Sequence, residues 1–246
     1  MAPAAAPRRA CESPRPATTH SETRPVDAHT WTEEPLQSGQ LSRRPDDGPD
    51  GRCCRAAASP RLASLVDGIA LADSWATDAH KWLNVPYDCG VALVRDPASL
   101  QGAMGIRAAY LPDEDRREPS RFGPELSRRA RGVEVWAALK HLGRDGLAAM
   151  IERCCAHARR FATGLSEAGH TVLNEVVLNQ VLVSFGDAGR TQRIIAAVQA
   201  EGTCWCSGTV WQGQSAMRIS VSSWATTADD VERSLEVILR IAAVTP

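Results

Sequence analysis

The sequence predicts an α/β fold that closes in a small α+β domain, and three observations predict it. The texture of the chain changes near Ala56, from polar and Pro-rich to apolar and periodic. A polar segment, a turn and a strand-like run follow one another from Asp73 to Val94. The last third then alternates helix, strand, helix, strand, strand, helix, the pattern of helices laid on one face of a small sheet.

Composition sets the bounds on function. With 246 residues, 43% of them hydrophobic, the chain can fill one large domain or two small ones. A formal net charge of −1 gives no electrostatic case for nucleic acid or a membrane surface, both of which reward a basic excess. No apolar run approaches the roughly 20 residues that span a bilayer. The start, MAPAAAPRRACESPRP, has arginines but no apolar segment, so it does not read as a secretory signal. A soluble, cytoplasmic protein is expected.

Eight cysteines do not make a disulfide framework here. Cys53 with Cys54 and Cys154 with Cys155 are adjacent pairs that rarely bridge, and Cys204 and Cys206 fall on one face of an expected strand. No spacing suits zinc, so reduced thiols and no metal are expected.

Residues 1–55 are rich in Pro, Arg, Ser, Thr, Asp and Glu without apolar periodicity, and are expected to be a disordered leader. The run AAASPRLASLVDGIALADSW places Leu62, Leu65, Val66 and Ile69 at helical spacing behind Ser59 and Pro60, with an exit turn at Asp67 and Gly68. VALV at 91–94 reads as a strand. The polar, Arg-rich stretch from Asp96 to Arg131, with Pro97, Pro112 and Pro119, reads as a loop with short turns.

Helices resume at Val133, where Val133, Trp136, Ala137 and Leu139 are expected to face a core before Gly143. A second helix carries Leu147, Met150, Ile151, Cys154, Ala158, Phe161 and Leu165 on one stripe and stops at Gly169. Beyond it, 179–185 reads as a strand, 191–202 as a helix, and 203–211 and 216–222 as strands. A final helix begins at Thr226 or Thr227, with Asp229 or Asp230 three positions on as its capping partner.

One stretch carries chemistry. In DSWATDAHKWLNVPYDCG, residues 73–90, Lys81 is followed by the apolar Trp82 and Leu83. Enclosure by such groups would disfavour the ammonium form and free the amine to attack a carbonyl. The plain alternative is a solvated surface lysine.

This stretch resembles the lysine segment of the group II pyridoxal-phosphate-dependent amino-acid decarboxylases, which include the aromatic-L-amino-acid and glutamate decarboxylases. The likeness begins near Ala56 and reaches the C-terminus through SRRARG at 127–132 and MRISVSSWATT at 217–227. It implies a partial fold-type-I pyridoxal-phosphate-dependent transferase, aspartate-aminotransferase-like. Residues 56–144 would be the C-terminal part of the cofactor-binding large domain with its catalytic loop, and 145–246 the small α+β domain.

By the same resemblance Lys81 binds pyridoxal 5′-phosphate covalently, and His80 helps hold its phosphate. The residue at the place of Asp78 does likewise in the family, although an ionised carboxylate would repel that anion and the aromatic decarboxylases have an amide there. Tyr110, 29 residues beyond the lysine, matches a loop tyrosine that returns a proton after loss of CO2. For His80 and Tyr110 the competing readings are a hydrogen-bonded imidazole and a surface tyrosine. The arginines of SRRARG read as a solvated basic run, and Arg218 as a structural partner.

The function implied is decarboxylation of an amino acid by a homodimer. The family also carries an upstream HVDGAFG-like strand, which residues 1–55 lack. The sequence looks like a C-terminal half joined to an unrelated leader, as truncation or a shifted reading frame would give. Two alternatives stay open: an inactive fragment or interaction remnant, and a pyridoxal-phosphate-dependent aminotransferase or aldehyde synthase.

Overall fold

The computed structural model describes residues 56–105 and 117–246; the expected leader and Tyr110 lie outside them. The described residues all belong to one compact unit, Glu34–Pro246.

Its first part is a hairpin. Strand β1 (Ser74–Asp78) pairs antiparallel with β2 (Gly90–Val94), in register from Ser74 opposite Val94 to Asp78 opposite Gly90. The chain between them, 79–89, carries Lys81. Ahead of the hairpin the expected helix does not form; there are two short 3-10 turns, Ala63–Val66 and Ile69–Leu71. Ser59 does make its cap-like bond to the Arg61 N–H at 3.2 Å. Gly68, in the left-handed region at φ 87°, then turns the chain before an α-helix can grow past its costly first turns.

The stretch after β2 is more ordered than its prolines suggest. Helix α1 (Pro97–Met104) starts with Pro97 in its first turn, where the missing N–H costs nothing. Asp96 caps it by accepting from the N–H groups of Ala98 and Ser99, at 3.0 and 3.2 Å.

Helix α2 (Arg131–Glu167) is two helices broken at Gly143, whose φ of 63° and ψ of −173° are open to glycine and little else. On the first, the faces are rotated from the expectation. Val133, Trp136 and Leu139 are exposed, while Val135 and Ala138 pack on Ala79, Val85 and Cys89 of the lysine loop. On the second, the expected stripe is buried at Met150, Ile151, Cys154, Ala158, Phe161 and Leu165.

The C-terminal part is a four-stranded antiparallel sheet in the order β3-β4-β6-β5, formed by Thr171–Val172, Gln180–Ser184, Gln214–Ser220 and Ser207–Trp211 respectively. The alternation of a strand sorts its residues. Val181, Val183, Met217 and Ile219 face the helices, and Leu182, Ala216 and Trp211 face the other way with Leu173. Helices α3 (Ala188–Glu201) and α4 (Ala228–Val244) complete the core with α2.

Residues 203–206 do not join β5 as expected; Gln199 Nε2 donates to the Cys206 carbonyl at 2.7 Å and holds the chain aside. β5 and β6 join through Gln212 and Gly213, both at positive φ, the geometry that a two-residue hairpin favours. Thr227 and Asp230 form the capping box that starts α4, and hydrogen bonds from the Thr227 backbone and hydroxyl hold the Asp230 carboxyl down at about 2. No helix among the described residues is long and apolar enough to cross a membrane.

Candidate active site

The lysine loop leaves β1 through a tight backbone network. Ala79 N–H donates to the Cys89 carbonyl at 2.8 Å, Lys81 N–H to Asp78 at 3.1 Å and Asn84 N–H to Lys81 at 3.3 Å. Ala79, Val85 and Cys89 are buried under this network, so the loop has a core of its own. Lys81 is thereby fixed at the rim, with its side chain 53% exposed.

Among the described residues, no apolar enclosure of the kind expected covers that amine, and its side chain is half exposed. Trp82 points the opposite way, into the main core at 1% exposure, and Leu83 packs beneath the loop. The near partner of Lys81 is instead Asp78, whose Oδ2 lies 2.9 Å from Nζ, one turn back. The carboxylate expected near a phosphate therefore holds the amine.

His80 is oriented by Cys89. The Cys89 backbone N–H, which can only donate, lies 2.9 Å from His80 Nδ1, closer than the Cys89 carbonyl at 3.2 Å. Nδ1 is thus the acceptor, and in the neutral ring the proton lies on Nε2. The imidazole is also tilted against the ring of Tyr87, with centroids 4.4 Å apart.

The loop's far side is gripped by arginines expected to be merely solvated. Arg129 donates from Nη1 to the Tyr87 carbonyl and from Nη2 to the Asp88 carbonyl, both at 3.2 Å, and pairs with Glu134 at 3.0 Å. Arg131 makes a bidentate contact with the Asp88 carboxylate and pushes its pKa below the ordinary value. Arg218 donates from Nε to the Ser207 hydroxyl at 3.2 Å, a contact inside the sheet.

The structure therefore pairs Lys81 with Asp78, the last residue of β1, and sets His80, the residue before Lys81, against Cys89 and Tyr87. Tyr110 lies outside the described residues. Sequence reasoning missed Asn84 and Asp88, which carry no motif of their own. The signal was topological: the two arginines and the loop meet across some forty residues of sequence. Among the described residues no cluster of side chains suits a metal ion.

A primary amine can condense with a carbonyl compound, and an imidazole N–H can donate to an anion. Several known proteins are similar to this chain. Histidine decarboxylase of Drosophila melanogaster is 28% identical over 190 residues, which is 75% of this chain and 22% of that protein. Aromatic-L-amino-acid decarboxylase of Drosophila lebanonensis is 26% identical over 185 residues, 73% of this chain and 46% of the relative. The chain thus spans less than half the length of these relatives. Among solved structures, Oryza sativa TDC with PLP and tryptamine superposes with a TM-score of 0.72 at 20% identity, covering 77% of this chain and 42% of that one. Its fold is therefore that of part of a fold-type-I enzyme. The family model described as the pyridoxal-dependent decarboxylase conserved domain matches residues 55–186. With more than half of its residues inside that match, the chain belongs to the pyridoxal-dependent amino-acid decarboxylase family, whose cofactor is pyridoxal 5′-phosphate.

Proposed function

We propose that this chain takes part in the decarboxylation of an amino acid and that Lys81 is the residue that holds the cofactor. The donor set on the loop fits the group: a primary amine for its aldehyde carbon, and one residue away an imidazole whose Nε2 proton can meet a phosphate oxygen. When bound, the cofactor supplies an electron sink for the electron pair of the breaking bond between Cα and the carboxyl group.

Everything else is the work of the chain's own side chains. Asp78 holds the Lys81 amine in place through Oδ2 and gives the ammonium proton an acceptor. His80 donates from Nε2, its ring fixed from behind by Cys89 and from the side by Tyr87. Tyr110, by resemblance, returns a proton to the carbon that has lost CO2. Residues 56–144 form the cofactor-bearing part and 145–246 the small domain, a division that the break at Gly143 supports. A homodimer in the cytoplasm completes the reading.

The observation that carries this reading is the contact of the Cys89 N–H with His80 Nδ1 at 2.9 Å, which leaves Nε2 of the residue next to Lys81 as the nitrogen that can donate to an anion. The chain has two lysines, Lys81 and Lys140, which makes the test clean. Purified protein is mixed with pyridoxal phosphate and reduced with borohydride, and the peptides are weighed. A phosphopyridoxyl increment on Lys81 well above that on exposed Lys140 supports the reading; equal or absent labelling overturns it. Amine plus CO2 from an amino acid supports decarboxylation, whereas keto acid or aldehyde would replace it with a sister reaction.

A further inference from the structure

Hydrogen bonds tie the lysine loop to the segment that follows β6. Asn84 Nδ2 donates to the Trp82 carbonyl at 2.6 Å and to the Ser222 carbonyl at 2.9 Å, 138 residues away in sequence. Its Oδ1 accepts from the Trp224 N–H at 3.4 Å. Three backbone groups from two distant segments thus converge on one carboxamide. Its own backbone sits at φ 58°, a left-handed conformation that Asn tolerates better than most residues.

Among the described residues other carboxamides make ties of this kind, such as Asn174 and Asn179, but these lie away from the lysine loop. Asn84 is three residues past Lys81, and its N–H closes the turn on the Lys81 carbonyl. Next to it Trp82 plugs the loop into the core shared by α2, α3, α4 and the sheet. The loop has no regular secondary structure between Ala79 and Cys89 to hold Lys81 by itself. Side-chain amides that satisfy several backbone groups at once fix such a segment in a single arrangement.

We propose that Asn84 is the positioning residue of the lysine loop: its carboxamide locks the Lys81 backbone to the segment after β6, so that the amine is presented in one orientation. The proposal rests on Lys81 as the cofactor lysine. It places control of that lysine with a carboxamide whose hydrogen bonds go to backbone groups of the chain itself.

The test uses the full chain with Asn84→Gly, which permits the left-handed backbone and removes the carboxamide together with Cβ. A second variant, Asn84→Asp, keeps the acceptor for Trp224 and loses both donations. In each, the Lys81 to Lys140 labelling ratio is measured with pyridoxal phosphate and borohydride well below the melting temperature, beside the pH titration of the bound cofactor's absorbance. Both variants are expected to lower the ratio about tenfold or more and to move the titration midpoint, with far-UV circular dichroism unchanged. An unchanged ratio and midpoint in Asn84→Gly, with wild type labelling at Lys81, overturns the positioning role alone. Failure of the wild type to label Lys81 preferentially overturns the lysine assignment and the positioning role with it.

Discussion

Arg131 donates from Nε and Nη2 to the two carboxylate oxygens of Asp88, at 3.1 and 3.2 Å, and fastens the loop behind Lys81 to the first turn of α2. The hydrogen bond from Arg131 is the largest reason that the Asp88 carboxyl lies below its ordinary value, followed by a backbone hydrogen bond within Asp88. A depressed carboxyl contributes stability that is present above its unfolded value, near 3.8, and is lost as pH falls through the folded one. Arg131→Ala should therefore raise the Asp88 midpoint toward that ordinary value, read by carbon NMR of the carboxyl. The same midpoint in both proteins would show that the guanidinium is not its cause.

The tie between Asp88 and Arg131 also shows what the sequence could and could not disclose. The family was legible because the segment that carries its likeness, residues 73–90, is one contiguous stretch. The C-terminal helices were legible because burial repeats at 3.6 residues, and α4 because Thr227 and Asp230 advertise a cap. The contacts of Arg129 and Arg131 were not, since a basic run that grips carbonyls reads like one that faces water. The outward face of Trp136 was hidden for a related reason. Val135 and Ala138 occupy the inward face, packed against Ala79, Val85 and Cys89, a contact with a distant loop that helical spacing alone does not disclose. Pro97 hid α1, because a proline that marks a loop stands equally well at the start of a helix.

Trp82 links the site to the core, and its removal should show as lost stability. The indole is 1% exposed and belongs to the main core, which also holds Ile151, Cys154 and Val221. Its Nε1 has no conventional hydrogen-bond partner and meets the soft sulfur of Cys154, a weak acceptor. Almost all of its contribution is therefore volume and apolar area. Trp82→Ala should cost about 3–5 kcal/mol in urea unfolding, and Trp82→Phe distinctly less, since no strong hydrogen bond is lost. Equal losses in the two variants would mean that the N–H, not the volume, holds the loop.

Two glycines of α2 are present for opposite reasons, and alanine separates them. At Gly143 nothing lies within 4 Å of where a Cβ would stand, but φ is 63°. Gly143→Ala should cost about 1–3 kcal/mol from backbone strain alone. Gly164 has ordinary helical neighbours, and its Cβ would fall 2.3 Å from Leu235 Cδ2 and 2.9 Å from Arg160 Nη1. There alanine gains about 1 kcal/mol of helix propensity against about 1–3 kcal/mol for overpacking a closed core. The clash wins if Leu235, only 4% exposed, cannot move aside. Trimming Leu235 to Val should then relieve part of the loss in Gly164→Ala. Strictly additive effects of the two substitutions would locate the cost elsewhere.

The cysteines of the core are protected by the same packing. Burial is the largest cause in each case: it pushes the Cys206 thiol up to about 12 and the Cys155 thiol up to about 11, and it raises Cys154 and Cys204 as well. A thiol with a raised value stays neutral in the folded protein. The stability it contributes is complete below the ordinary value of 9.0 and is lost as pH climbs toward the folded values. Because the thiolate is the nucleophile, Cys155 and Cys206 should resist iodoacetamide in the native protein at about pH 8 and react readily in urea. Unfolding midpoints should also fall between about pH 9 and pH 11 in wild type. A Cys206→Ala variant should lose part of that alkaline sensitivity. Native alkylation of Cys206 at the rate seen in urea would mean that the 203–206 segment opens readily, and that the hydrogen bond from Gln199 to the Cys206 carbonyl does not hold it.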